Sequence, residues 1–248
     1  MQVPQPRWKR NSCPPGDAGL GWRVDVNELP LPVHPGITAE TEIVAIGGAL
    51  SPTTLQWAYA TGAFPMPTAD GDSEVAQWVW FSPDPRAVLA APGMRISRSL
   101  RKSMRHFTTT IDADFPAVLA GCADPARPHG WMTNTYQQVY RNLAAIGVAH
   151  SIEVWQEQEL VGGLIAVEVG GLVCADSKFR RVTDASKAAV ARLSAEVFER
   201  RSGQGRLIDA QWPTAHLLSL GFQAWPRARY LREIRQLRKL PPVLAPSF

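Results

Sequence analysis

The chain has 248 residues, of which 45% are hydrophobic and 19% charged, so the composition supports a folded core and excludes global disorder. Its 26 basic and 22 acidic side chains leave a net charge of +4. That excess is too small for a uniformly basic surface, but it is compatible with a local basic patch that faces an anionic partner.

The N-terminal part of the chain is predicted to be irregular. Residues 1–28 are rich in proline and are interpreted as a tail, and residues 29–80 as a small N-terminal domain. The first residues include no apolar stretch of the kind found in signal peptides. No run of about 18 apolar residues occurs in the chain, so no membrane contact is predicted and we expect a cytoplasmic protein.

Capping residues mark the first helix. Ser51 suits the N-cap, Pro52 the first helical position and Gly62 the C-terminal stop. Further along, QWVWFSPDPRAVL is typical of a strand interrupted by a proline-rich turn. Two more helices are predicted, one capped by Asp112 and the next by Thr133.

The period of the hydrophobic pattern changes after these helices. HSIEVWQ, LVGGLIAVEV and LVCADSKF are strand-like runs separated by short turns, which predicts a hairpin meander. The pair Gly162–Gly163 inside the second run indicates a bulge or a close backbone approach. A long helix, the strand RLIDAQW, a short helix and a basic C-terminal helix follow. We therefore predict an α+β fold whose larger domain, residues 81–248, is built on a mixed sheet.

Residues 95–105, RISRSLRKSMR, contain five basic side chains and no acidic one. In a helix, like charges at this spacing share one face and repel each other. Such a face is typical of a surface that binds phosphate groups, and an ordinary solvated helix is the alternative. The predicted nucleic-acid contacts are Arg95, Arg98, Arg101, Lys102 and Arg105.

Two further patterns suggest chemistry. Asp209 and Gln211 share one face of an apolar strand, where each needs a polar partner. Such a pair is suited to orienting an amine in acyl transfer, or else it braces a neighbouring loop. Trp131, just before a helix cap, suits stacking on a base, with a place in the core as the alternative.

Several common site motifs are absent from the sequence. The chain has no GxGxxG motif after a strand, no GxSxG motif and no HExxH motif. Its five histidines and three cysteines lack the spacing of metal ligands. We therefore predict neither a metal nor a bound cofactor.

Seven stretches together resemble the leucyl/phenylalanyl-tRNA–protein transferase family. They include SPDPRAVL, HSIEVWQEQELVGG, VTDASK and LIDAQWPTAHLLSLGF, and they span roughly residues 30–235 in the family's order. The resemblance implies a larger domain of acetyltransferase-like (GNAT-related) fold. It also implies transfer of leucine or phenylalanine from aminoacyl-tRNA to the N-terminal amine of a protein that begins with Arg or Lys, which marks that protein for degradation. No metal and no acetyl-CoA are implied, because the charged tRNA is the activated donor.

The same resemblance implies roles for individual residues. Asp209 would accept a hydrogen bond from the attacking amine, and Gln211 would hold the amine and the ester carbonyl. Trp131 matches an aromatic residue beside the terminal adenosine, and residues 95–105 match the segment along the acceptor stem. The positions that border the aminoacyl group or adenosine are Met66, Leu164, Asp176, Ser177, Lys178 and Phe179.

This chain departs from the family pattern at that pocket. ADSKF stands where GESMF is usual, so Asp176 replaces a glutamate and Lys178 a methionine, and Met66 replaces a tryptophan. A buried, unpaired ammonium is costly, so Lys178 turns away, pairs with Asp176 or changes the donor. Two alternatives therefore stay open: transfer of another amino acid to a small-molecule amine, and tRNA binding without catalysis.

Overall fold

The structure, a computed structural model, describes residues 41–67, 78–127, 131–200 and 205–244. These residues form helices and two β-sheets, so the predicted α+β class is confirmed. The predicted tail, residues 1–28, lies outside the described residues.

A small antiparallel sheet precedes the larger one. Its strands are β1 (Ile43–Ile46), β2 (Phe64–Pro67) and β3 (Trp78–Phe81), with β3 in the centre. Helix α1 (Pro52–Thr61) connects β1 to β2. Ser51 Oγ accepts a hydrogen bond from the Thr54 backbone at 3.1 Å, and Gly62 has a φ of 88°, so the predicted start and stop of α1 are confirmed.

The larger sheet has seven strands in the order β10-β4-β9-β8-β7-β6-β5. The strands are β4 (Arg86–Leu89), β5 (Thr108–Ile111), β6 (Ala149–Gln156), β7 (Glu159–Val169), β8 (Leu172–Arg180), β9 (Leu207–Asp209) and β10 (Gln223–Trp225). Strands β6, β7 and β8 form the predicted meander, and β8 pairs with β9 in parallel. The sheet is therefore mixed, as predicted. The two halves of QWVWFSPDPRAVL do not form one interrupted strand, because β3 and β4 belong to different sheets.

Helices cover both faces of this sheet. They are α2 (Arg98–Met104), α3 (Phe115–Cys122), α4 (Asn134–Ala145), α5 (Ala185–Ala195), α6 (Ala215–Ser219) and α7 (Arg227–Leu237). A π-helical turn, Glu196–Arg200, extends α5. The first face, as we define it, packs against α1, α3, α4 and α7, and the second face against α2, α5 and α6. The hydrophobic cluster of the first face includes Trp80 of the small sheet and Ile165 of the large one. The division of the chain at residue 80 stays a prediction.

The predicted cap is confirmed for one of the two middle helices and wrong for the other. Thr133 Oγ1 accepts a hydrogen bond from the Tyr136 backbone at 3.3 Å, which confirms the predicted start of α4. The prediction for Asp112 was wrong, because the Ala117 backbone donates to Asp114 Oδ1 at 3.0 Å instead. Asp112 has a φ of 55° and accepts a hydrogen bond from the Ser151 backbone at 2.8 Å.

The glycine pair in β7 marks a close approach, as predicted. A Cβ at Gly162 would lie 2.7 Å from the Ala185 Cβ and 3.1 Å from the Phe179 backbone oxygen. We expect Gly162→Ala to lower the free energy of unfolding by about 1–3 kcal/mol, because extra volume in a packed region forces its neighbours apart. Urea denaturation measures the change. Glu159→Ala, at the exposed start of the same strand, is the control and should differ from wild type by less than about 0.5 kcal/mol. A Gly162→Ala protein as stable as the control would contradict the close packing.

Candidate active site

The candidate site lies where β9 ends beside β8, a place that we call the opening. The two strands pair over three positions, from Leu172 opposite Leu207 to Cys174 opposite Asp209. Strand β9 then ends, whereas β8 continues to Arg180. Residues 175–180 therefore run without β9 beside them, and several of the predicted site residues lie along this stretch or just after β9.

A β-bulge directs Asp176 into the opening. Ile165 pairs with Ser177 and Ala166 with Ala175, which leaves Asp176 as the extra residue of β8. Bulges of this kind redirect side chains beside functional sites. The Asp176 carboxyl reaches the first face, where it contacts groups from two other elements.

The Asp176 carboxyl accepts hydrogen bonds from neighbouring side chains. Tyr140 Oη on α4 donates to Oδ2 at 2.5 Å, and Gln211 Nε2 donates to Oδ1 at 3.0 Å. Burial raises the pKa of Asp176 to about 7, although the hydrogen bonds from Tyr140 and Tyr59 act in the opposite direction. Burial and the Asp176 charge also raise the pKa of Tyr140, so the phenol keeps its proton and remains a donor. A carboxyl that titrates near neutral pH is suited to general base catalysis.

Asp209 lies behind Gln211 and is fully buried. Arg86 binds it in a bidentate manner, with Nε 2.8 Å from Oδ1 and Nη2 2.5 Å from Oδ2. The Gln211 backbone donates to Oδ1 at 3.0 Å, and Tyr230 Oη donates to Oδ2 at 3.1 Å. Gln211 has a φ of 60°, a conformation that most residues avoid, and the bond to Asp209 helps to hold it there. These hydrogen bonds hold the backbone of Gln211 and thereby position its side-chain amide, which contacts Asp176.

Arg86 is a site residue that our sequence reasoning missed. Its guanidinium lies 4.9 Å from the ring centroid of Phe64 and 4.7 Å from that of Tyr230. A third hydrogen bond goes to the Gly62 backbone oxygen at 3.0 Å. The available signal was an arginine directly before the apolar run AVL in a predicted strand, since a buried arginine requires an acidic partner.

An aromatic wall connects the other predicted residues of the first face to Asp176. The Trp131 and Tyr136 rings meet edge to face at 4.8 Å, and those of Tyr136 and Tyr140 stack at 5.4 Å. Tyr136 Oη donates to the Pro65 backbone oxygen at 2.9 Å, which brings β2 and its Met66 to the same wall. Tyr136 and Tyr140, which the sequence analysis also missed, thus link Trp131 with the carboxyl.

The remaining pocket residues divide between the two faces. Ser177 and Phe179 are buried on the first face, where Arg127 Nη1 lies 3.4 Å from Ser177 Oγ. Leu164 is 1% exposed and belongs to the cluster of the second face, and Lys178 is its cross-strand neighbour. Lys178 is therefore on the opposite face from Asp176, and no ion pair joins them.

The centre of the basic segment forms an exposed helix, as predicted, and Arg95 lies before this helix. Helix α2 begins after Ser97, whose Oγ accepts a hydrogen bond from the Leu100 backbone at 3.2 Å. Ser103 Oγ donates to Asp184 Oδ2 at 2.9 Å, which joins α2 to the start of α5. The exposed basic side chains are Arg95, Arg98, Arg101, Lys102 and Arg105.

Within residues 41–67, 78–127, 131–200 and 205–244, no cluster of three or more His, Cys, Asp or Glu side chains is placed to hold a metal ion. No helix among the same residues is both long and apolar enough to cross a membrane.

Comparisons with known proteins show the family of the chain. A family model for leucyl/phenylalanyl-tRNA protein transferase matches residues 88–235. The transferase of that name from Edwardsiella ictaluri is 44% identical over 198 residues, which cover 79% of this chain and 78% of that protein. The one from Tolumonas auensis is 41% identical over 207 residues (82% and 85%), and the one from Aromatoleum aromaticum 42% over 215 residues (85% and 87%).

These matches identify an enzyme of the aminoacyltransferase class. The chain belongs to the leucyl/phenylalanyl-tRNA protein transferase family. Among solved structures, a tandem GNAT protein from the clavulanic acid biosynthesis pathway is similar at a TM-score of 0.35 and 12% identity, over 79% of this chain and 59% of that one. A likeness of that size has no bearing on the site.

Proposed function

We propose that this chain transfers leucine or phenylalanine from charged tRNA to the N-terminal amine of a protein that begins with arginine or lysine. The product would be a protein marked for degradation, and the reaction would take place in the cytoplasm. The contact between Asp176 and Gln211 in the opening beside β8 carries this proposal. It joins a carboxyl of near-neutral pKa to an oriented amide, as acyl transfer to an amine requires.

In the proposed reaction the protein orients the two substrates and removes a proton from the attacking amine. The neutral amine attacks the ester carbonyl, a C–N bond forms, and the C–O bond to the tRNA ribose breaks. Asp176 accepts the proton that the amine loses, and the departing ribose oxygen takes up a proton. The ester already supplies the free energy, so holding both substrates together accounts for much of the acceleration.

The roles of the two carboxylates differ from those implied by the resemblance. We assign the proton to Asp176, because its carboxyl borders the opening and contacts Gln211 Nε2. Asp209 acts as a positioning residue, since its oxygens already accept hydrogen bonds from Arg86, Gln211 and Tyr230. Trp131 and Met66 would border the adenosine, because the aromatic wall connects both residues to Asp176.

A transfer assay tests this function. The protein is incubated with a mixture of charged tRNAs and a peptide that begins with Arg, and the amino acid that appears on the peptide is identified. We expect leucine or phenylalanine, and none on the same peptide with an acetylated N-terminus. Transfer only of another amino acid, or only to a non-peptide amine, would refute the assignment of substrates. Binding of tRNA without any transfer would refute the enzymatic role.

We propose that α2 binds the acceptor stem through its exposed cations. Arg98→Ala, Arg101→Ala and Lys102→Ala together should weaken tRNA binding and reduce the slope of log K against log salt by about 2 to 3, because each phosphate contact contributes about 0.7–0.9. Titrations at several salt concentrations measure the slope. The triple variant Arg98→Lys, Arg101→Lys, Lys102→Arg conserves the charge and should keep the wild-type slope. An unchanged slope in the alanine variant would refute the contact.

A further inference from the structure

A cavity of about 780 Å³ lies beside the end of β8, between the C-terminal end of α3 and the N-terminal end of α5. Basic side chains outnumber acidic ones along its wall. The basic side chains are Arg127, Lys178, Arg180, Arg181 and Lys187, and the acidic ones are Asp124 and Asp184. None of the catalytic groups assigned above lines it.

Most of this positive charge is not neutralised within the described part of the chain. Arg127 Nη2 donates to the Lys178 backbone oxygen at 2.8 Å, and Arg181 Nη1 donates to the Leu160 backbone oxygen at 3.0 Å. Carbonyl oxygens satisfy these donors but carry no net charge. Of the basic side chains in the wall, Lys187 has a carboxylate partner, Asp184, at 2.7 Å.

Lys178 is the side chain that most favours an anion in the cavity. Its ammonium is partly buried and has no hydrogen-bond or ion-pair partner among the residues that the structure describes. Burial lowers the pKa of Lys178, and the Arg127 charge acts in the same direction. Burial together with the charges of Lys178, Lys187 and Arg180 also lowers the pKa of His216 on the same wall. An anion in the cavity would relieve both the missing partner and the repulsion.

The cavity lies close to the proposed tRNA-binding helix α2 and to Asp176. The hydrogen bond from Ser103 to Asp184 places α2, with its exposed cations, beside the cavity. Lys178 follows Asp176 by two residues on β8, a separation of about 7 Å along a strand. Strand β9 does not continue beside either residue.

We propose that this cavity is an oxyanion subsite for the donor substrate, with Lys178 as its central contact. The oxyanion is a phosphate of the tRNA 3′ strand, since leucine and phenylalanine carry no carboxylate on their side chains. The position of α2 beside the cavity also favours the phosphate. The inference rests on the proposed function, because it places a part of aminoacyl-tRNA in the cavity.

The first arm of the test measures binding of uncharged tRNA over a range of salt concentrations. For a phosphate, Lys178→Met should reduce the slope of log K against log salt by about 0.7, the value for one contact with a single strand. Lys178→Arg should keep the slope. Lys239→Met removes the same charge at the other end of β8, where the Gly171 backbone meets Leu237, and is the matched control.

The second arm compares transfer from tRNAs charged with Asp, Glu, Leu or Phe to an Arg-initiated peptide. Wild-type protein should use Leu or Phe. Transfer of Asp or Glu instead, lowered tenfold or more by Lys178→Met without a change in the salt slope, would place a side-chain carboxylate at Lys178 and would overturn both the phosphate subsite and the proposed donor. If Lys178→Met equals Lys239→Met in both arms, the subsite is refuted. If wild-type protein transfers nothing, the proposed function fails, but the binding arm still decides whether Lys178 contacts a phosphate.

Discussion

Asp176→Asn is expected to lower the rate of aminoacyl transfer by about 10²–10⁴-fold, the usual contribution of a positioned general base. The asparagine side chain has nearly the same shape and can still bond to Tyr140 and Gln211, but it cannot take a proton from the amine. Single-turnover transfer at saturating substrates measures the change. Asp176→Glu restores the carboxyl and should recover a large part of the rate, whereas Glu159→Gln, on an exposed residue of β7, should have no effect.

The pH dependence separates a proton acceptor from a merely structural carboxyl. Because the pKa of Asp176 is about 7, the wild-type rate should rise as pH passes through 7 and the carboxyl becomes charged. The attacking amine also loses a proton at a pKa of about 8, so some pH dependence remains in every variant. Asp176→Asn should show only the dependence of the amine. Equal pH profiles for wild type and Asp176→Asn would contradict the assignment.

The charged Asp176 carboxylate is expected to lower the stability of the folded protein at the pH at which it acts as a base. Folding raises the pKa of Asp176 from 3.8 to about 7, so the folded state holds a proton that the unfolded state has lost over this range. The resulting stabilisation is complete below pH 3.8 and is lost as pH rises through about 7. At pH 8, Asp176→Asn should therefore be more stable than wild type to urea while transferring far more slowly. A destabilised variant would indicate a structural role instead.

Local signals in the sequence were sufficient to predict most of the helices and strands, but not the contacts between distant residues. Ser51, Gly62 and Thr133 were interpreted correctly because a cap depends on residues within one turn of it. Arg86 and Asp209 are 123 positions apart, and no local pattern connects them. Strands β5 and β10 are short edge strands, and their sequences were not predicted to pair with the sheet.

The bulge in β8 explains why the pocket could not be assembled from the sequence. In a regular strand, residues two apart share a face, so Asp176 and Lys178 would border the same pocket. The extra residue at Asp176 shifts this alternation by one and places Lys178 beside Leu164 on the second face. The motif ADSKF shows that a lysine stands in the pocket motif. The face of the sheet on which this lysine lies, however, depends on the pairing of β7 with β8.

The buried pair of Arg86 and Asp209 should have the largest effect on stability. Asp209→Asn removes one charge and leaves the fully buried guanidinium without a counterion. We expect the free energy of unfolding to fall by about 3–5 kcal/mol, the usual result of breaking a buried ion pair from one side. Urea denaturation followed by tryptophan fluorescence measures the loss, and Glu159→Gln is again the matched control. A stable Asp209→Asn protein would show that Arg86 finds another partner.

The double variant Arg86→Met, Asp209→Leu separates stability from positioning. Replacing both members of a buried pair by apolar side chains of similar size is often neutral for stability. We therefore expect the double variant to recover most of the stability that Asp209→Asn loses. Its transfer rate should nevertheless stay low, because the Gln211 backbone has lost the oxygen that it bonds at 3.0 Å and the amide no longer holds its place beside Asp176. The loss should fall on kcat, with the KM for the peptide little changed. A double variant that is both stable and fully active would refute the positioning role of Asp209, since the apolar pair would then hold Gln211 equally well.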